Sequence, residues 1–262
     1  MVGDITLVRE LYQYREMIYE LTHRELRGKY KGSVLGFLWT YVNPLAQICV
    51  YTFFFSHIFR SGIEQFHLYL IVSLFPWNCF SGSVMQGLGS IRYQSELVKK
   101  IYFPRQILPI VFVTVNFINM FISFAIIYSI LLISGWGINL YVQVWLIPVV
   151  LIEYTFSLGL AMFFASIEVY FRDIEHILSV VMMIWMYVTP MFYSITSIPS
   201  EYLELFKLNP MLYIIGMYQQ ILYDKESPSL MYITRGIIAA LCSLCTGIIV
   251  FKLLQKRFAE EL

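Results

Sequence analysis

Residues 34–58 read VLGFLWTYVNPLAQICVYTFFFSHI, 25 positions without one charged side chain. A helix needs about 20 apolar residues to cross the hydrocarbon of a bilayer, so this stretch is long enough to span it. Five more follow at 66–91, 106–134, 141–167, 177–198 and 229–251. Only two of the six hold a charge, Glu153 in the fourth and Arg235 near the start of the sixth. Lipid offers an unpaired backbone no hydrogen-bond partner, so such segments are helices. Composition agrees: hydrophobic residues make up 59% and charged residues 13%, where soluble domains carry roughly 25% charge. The expected fold is all-α and integral to a membrane, with six transmembrane helices.

Lys and Arg are segregated. The gaps 1–33, 92–105, 168–176 and 252–262 hold six, four, one and three of the 18 basic residues, leaving Arg60, Lys207, Lys225 and Arg235 for the other side. The positive-inside rule then places both termini in the cytoplasm. A net charge of +1 averages over segregated faces and gives no reason to expect nucleic acid. All four cysteines fall inside spans. Cys242 and Cys245 have the spacing of a metal or redox pair but no third ligand, so they are expected to be packing residues. His23, His57, His67 and His176 are scattered, and no metal site is expected.

The chain reads as one domain, with a cytoplasmic interface segment at 1–33, a membrane region at 34–254 and a tail at 255–262. The N-terminus lacks the apolar core of a signal peptide. Leu7, Leu11, Tyr14, Ile18 and Leu21 recur at helical spacing opposite Arg9, Gln13, Glu16, Glu20 and Arg24. An amphipathic helix of this kind lies in the membrane interface or touches a cytoplasmic partner. Between spans five and six, 208–223 is uncharged but opens with Asn209-Pro210 and contains Gln219-Gln220. A seventh span there would send Lys252, Lys256 and Arg257 outside, so 199–228 is expected to form short outer-face helices instead.

Three blocks carry the most information. Arg27-Gly-Lys-Tyr-Lys-Gly-Ser-Val-Leu-Gly-Phe-Leu-Trp39 is a basic lead-in to the first span, and Gly32 and Gly36 are spaced for close helix approach. Lys99-Lys-Ile-Tyr-Phe-Pro-Arg105 is a short basic elbow, because Pro104 stops any helix running in from the second span. Tyr170-Phe-Arg-Asp173 makes the third gap, where Arg172, Asp173 and Glu175 can pair locally or with a partner.

In this order the blocks resemble the membrane subunit of ABC-2 type transporters that export lipid-linked polysaccharides such as O-antigen, capsule and wall teichoic acid. The resemblance is carried by Arg27, Tyr30, Ser33, Leu35, Gly36, Trp39 and Pro44, by Phe75-Pro76-Trp77, and by the elbow from Leu97 to Pro109. Phe171-Arg-Asp-Ile-Glu-His176, Thr189-Pro190 and Asn209-Pro210 complete it, over about residues 5–255. It implies a homodimer in the bacterial plasma membrane, served by two copies of a separate subunit that binds ATP and Mg. This chain has no G-x-x-x-x-G-K-[ST] phosphate loop of its own, so it is expected to bind no cofactor and to be no enzyme. The resemblance makes the elbow the coupling segment, with Glu96, Lys99, Lys100, Tyr102, Pro104 and Arg105 as its residues. Arg172, Asp173 and Glu175 would form a second cytoplasmic contact.

A glycan path calls for flat rings with polar handles rather than charge, and Phe37, Trp39, Tyr41, Trp77, Tyr187 and Tyr193 are the candidates. The lipid diphosphate of such a substrate calls for cations at headgroup depth, where Arg24, Arg27, Lys29 and Lys31 stand. Two other readings use the same chain: an ABC-2 exporter of drugs or lipids, and an ATP-independent carrier using Glu153. A carboxylate inside a span is costly. With no Lys or second acid in the other spans, apart from Arg235 close to the outer edge of the sixth, Glu153 is expected to be structural, hydrogen-bonded to Tyr or Thr or paired across the dimer.

Overall fold

Among the described residues of the computed structural model, four helices are long and apolar enough to cross a membrane, and they coincide with the second, third, fourth and sixth expected spans. The structure describes residues 11–28, 36–58 and 62–261. In chain order the main helices are α1 (Arg15–Gly28), α2 (Trp39–Thr52), α3 (Phe66–Leu88), α4 (Ser95–Lys100), α5 (Ile107–Ile133) and α6 (Leu146–Glu168). They continue with α7 (Ile174–Val188), α8 (Ser200–Phe206), α9 (Pro210–Tyr218) and α10 (Leu230–Leu254).

The first and fifth expected spans are not plain helices. α2 takes Pro44 into its interior and ends in one wide π turn, Phe53–Ile58. α7 has 15 residues, about 22 Å of helix, against the roughly 30 Å of a hydrocarbon core. The expectation of one apolar helix over 177–198 fails at Thr189, which is extended at φ −90° and ψ 127°. Pro190 follows it, and a residue before proline is pushed out of the helical region.

Helices gain no hydrophobic drive from leaving lipid for one another, so close packing of small residues must hold them. α10 buries only Gly236, Ala240, Ser243, Gly247 and Phe251, a single stripe laid against α6. A Cβ placed on Gly247 would come 2.2 Å from the Gly159 carbonyl oxygen, and one on Gly159 would come 2.3 Å from the Ser243 backbone. The Ser243 hydroxyl donates to the Phe156 carbonyl at 2.9 Å across the same contact. The close approach expected from Gly32 and Gly36 is thus found at a different pair; Gly32 lies outside the described residues. Cys242 and Cys245 face outward on α10 rather than into packing, because the small-residue stripe already occupies its inner face.

α9 is buried at every position from Met211 to Tyr218 and packs against α3, α6 and α10. The expected short helices over 199–228 are therefore α8, α9 and the π turn Gln219–Asp224. Asn209 starts α9 by accepting from the Met211 N–H at 3.0 Å, with Pro210 in the first turn, where its missing donor costs nothing. The same side chain accepts from Trp185 Nε1 at 2.7 Å and donates to the Thr189 hydroxyl at 3.0 Å. The two proline motifs, far apart in sequence, meet where α7 ends.

The α6–α10 contact gives a direct stability test. Gly247→Ala or Gly159→Ala should lower stability by about 1–3 kcal/mol through overpacking, read as the unfolding midpoint in detergent, whereas Cys245→Ala on the outward face should leave it unchanged.

Candidate functional site

The connections at the end carrying α1 and the elbow form a second apolar cluster. Leu21 of α1, Val98 and Phe103 of the elbow, Ile107 of α5, Met162 and Ala165 of α6, and Phe251 and Phe258 pack together there. Leu11, Tyr14 and Ile18 join it, so the predicted apolar stripe of α1 is covered by the chain's own elbow and α5. Leu7 lies outside the described residues.

Pegged by Val98 and Phe103, the elbow turns the residues between them outward. Glu96, Lys99, Lys100 and Tyr102 are exposed, Tyr102 at 95%. Lys100 pairs with Glu96 at 2.9 Å, a solvated contact of little energetic weight. α4 stops at Lys100, and Ile101 is extended before Pro104 arrives. Arg105 turns the other way: its guanidinium donates to the Gln255 carbonyl and lies over the Phe258 ring, 5.8 Å from its centroid. Arg105 therefore ties the elbow to the end of α10 instead of facing outward with the lysines.

The centre of this end is Arg92, between α3 and α4. Its Nε lies 2.8 Å from Glu168 Oε1, at the last position of α6, and its Nη2 lies 2.5 Å from Glu175 Oε2, in the first turn of α7. Tyr93 donates to the other Glu175 oxygen at 3.3 Å. Glu168 is fully buried, and a carboxylate at a helix C-terminus faces the negative end of the helix dipole. A cation beside it is required. Burial by itself would lower the Arg92 pKa, but the charge of Glu168 and the hydrogen bond Arg92 donates to Glu175 outweigh it and hold the guanidinium above its ordinary value. The sequence reading counted Arg92 only as a topology signal and passed over Glu168. The available clue was an acid in the last turn of a helix.

α1 joins the same hub. Arg24 donates to Gln94 Oε1 at 2.8 Å, and Gln94 Nε2 donates to Glu25 at 3.0 Å. Of the four cations expected at headgroup depth, Arg24 is engaged here and Arg27 is exposed, while Lys29 and Lys31 lie outside the described residues. Of the second contact, Arg172 and Asp173 are exposed beside Phe171, while Glu175 is held by Arg92.

The expected path aromatics divide. Trp39 and Tyr187 are exposed, and Tyr193 is half-buried with its hydroxyl on the Tyr187 carbonyl at 2.7 Å. Tyr41 and Trp77 are buried within the chain, Trp77 against Phe80 and Trp185. The side chain of Phe37 lies outside the described residues. Glu153 accepts from the Tyr218 hydroxyl at 2.5 Å, fully buried between α6 and α9, as a structural role requires. At the opposite end a cavity of about 240 Å³ is lined by Tyr69, Gln219, Gln220, Tyr223 and Asp224. Burial and then the neighbouring Glu226 push the Asp224 carboxyl above its ordinary pKa. No group of three or more metal-ligating side chains occurs among the described residues.

Residues 16–223 match the ABC-2 type transporter family. The chain is 36% identical to the O-antigen export system permease protein RfbA of Myxococcus xanthus, covering 98% of this chain and all of that one. It is 30% identical to the protein of the same name from Klebsiella pneumoniae, over 94% of this chain and 95% of that one. The polysialic acid transport protein KpsM of Escherichia coli is 20% identical over 80% of this chain and 83% of its own.

Arg92→Ala leaves Glu168 buried without its cation, which should cost about 2–3 kcal/mol, less than the roughly 3–5 kcal/mol of a fully buried pair because the guanidinium is one-third exposed. Arg92→Met combined with Glu168→Leu should recover most of that loss, both read as unfolding midpoints in detergent.

Proposed function

Because this chain belongs to the ABC-2 type transporter family, we propose that it is the membrane subunit of an ATP-driven exporter that moves a lipid-linked polysaccharide out of the cell. The observation that supports the substrate class is full-length similarity to permeases named for O-antigen export. In this reading two copies of the chain form the path, with six crossings each, in the bacterial plasma membrane and with both termini cytoplasmic. Two separate ATP-binding cassette subunits bind ATP and Mg and perform the hydrolysis.

The elbow is the proposed docking site for that subunit. Its apolar pegs fix the backbone while Glu96, Lys99, Lys100 and Tyr102 project outward. Phe171, Arg172 and Asp173 stand exposed at the same end as a second contact. A rigid segment with an aromatic tip and both charge signs suits a cleft on a soluble partner.

Closure of the partner on ATP moves the elbow, and the elbow is joined through Arg92 to the end of α6 and the start of α7. α7 carries the displacement to its other end, where Trp185 and Thr189 hold Asn209 and the start of α9. The coupling free energy therefore passes along packed helices with a charged joint at one end and a hydrogen-bonded joint at the other. In this reading Arg27 meets the lipid diphosphate, and Trp39, Tyr187 and Tyr193 meet sugar rings.

Reversing Lys99 and Lys100 to Glu should reduce co-purification of the chain with its ATP-binding cassette partner by about tenfold, roughly 1.4 kcal/mol, and reduce surface glycan in the same cells. Tyr102→Ala should do the same without altering the unfolding midpoint of the isolated chain. Wild-type binding by the double reversal would remove the elbow from the interface.

A further inference from the structure

At the α1 end of the bundle, α2, α3 and α5 enclose an open groove of about 390 Å³, and among the described residues its lining includes no Asp, Glu, Lys or Arg. Among the described residues its polar side chains are six carboxamides and the Ser123 hydroxyl. Asn43 and Gln47 come from α2, Asn78 and Gln86 from α3, and Asn116 and Asn119 from α5. The spacings are four, eight and three residues, which put each pair on one face of its helix. Gly82 lies on the same α3 face, midway between Asn78 and Gln86, and a Cβ there would come 3.0 Å from Asn116 Oδ1. The glycine keeps the floor open.

The two walls differ. On the α3–α5 wall, Asn116 donates to Gln86 at 3.2 Å and to the Phe112 carbonyl at 2.9 Å. On the α2 wall, Asn43 and Gln47 are exposed in the middle of a helix of a membrane domain. Acyl chains cannot satisfy an amide, so the occupant of this groove must itself hydrogen-bond.

We propose that the groove is the inner part of the glycan path, and that its carboxamides hold sugar hydroxyls as the chain passes. The inference rests on the exporter reading above and adds the chemistry of the track. Each carboxamide both donates and accepts, as each hydroxyl does, so a row of them fits successive sugars without selecting one. Being neutral, these contacts are modest in net strength and let a polymer slide. A lysine or arginine in their place would trap the diphosphate end. Trp39, 45% exposed at the rim, offers a ring face to a sugar leaving headgroup depth. The sequence reading sought aromatics alone and missed the Asn and Gln spacing within the spans, which was there to be read.

The test uses the chain with its ATPase in cells making their own glycan, with surface glycan as readout. Asn43→Leu, Gln47→Leu and Asn78→Leu should each lower export at least tenfold while the complex assembles in normal amount. Asn43→Gln and Gln47→Asn should restore it to within twofold. Export by all three leucine variants at the unaltered rate would overturn the proposal, whereas no export by the unaltered complex would overturn the exporter reading beneath it. A second measurement does not depend on the leucine variants folding. Position 43 or 47 is changed to cysteine in a chain whose four natural cysteines are serine. These thiols should react with a charged, membrane-impermeant methanethiosulfonate, and several-fold more slowly while glycan is being made. Reaction only with a lipophilic maleimide, or cross-linking between two copies with no reaction, would overturn the proposal and assign the face to lipid or to the partner copy.

Discussion

Arg92 carries the heaviest electrostatic duty in the chain. It is the cation on which a fully buried carboxylate, Glu168, depends, and it reaches Glu175 across a helix junction with its Nη2. A guanidinium suits this place because its donors fan out in a plane and can engage two carboxylates at once, which a lysine ammonium does less well. The result joins two connections that the sequence separates widely: the one after α3 and the one between α6 and α7. Beside it, Gln94 links α1 and Arg105 links the tail after α10. The described connections at the α1 end are therefore one connected piece.

Within the membrane region the governing constraint is different. Apolar surface is cheap there, so specificity comes from backbones brought close and from buried polar joints. Gly159 and Gly247 set the α6–α10 distance, and α9 is locked by Asn209 at one end and by the Tyr218–Glu153 bond at the other. α7 is short because Pro190 cuts it, and the cut frees Thr189 and Val188 to receive Asn209. The interruption that spoils the fifth span as a simple helix is what creates the joint to α9.

Much of this was legible in the residues. Long uncharged runs gave the apolar helices, and the Lys and Arg count located the basic end. Pro104 gave an elbow, and Asn209-Pro210 gave a short helix rather than a span. Glu153 was read as a structural, hydrogen-bonded acid, and Tyr218 is its partner. What stayed hidden depends on three-dimensional partners. Nothing near Arg92 in sequence names Glu168. The inward turn of Arg105 requires Phe258, more than 150 positions away, and the covering of α1 requires the elbow it packs on. Trp77 looked available for sugars because Trp185, which packs on it, comes from a different helix, α7.

The central claim is that Arg92 transmits the motion of the elbow to α7. Distances between spin labels on two copies of the chain test it most directly, with labels at position 102 on the elbow or at position 187 near the far end of α7. The complex with its ATPase is compared with and without trapped nucleotide, unaltered and with Arg92→Gln. Both distances should change with nucleotide in the unaltered complex, and only the elbow distance should change in the variant. An equal change at position 187 in the variant would contradict the account and place the coupling route elsewhere.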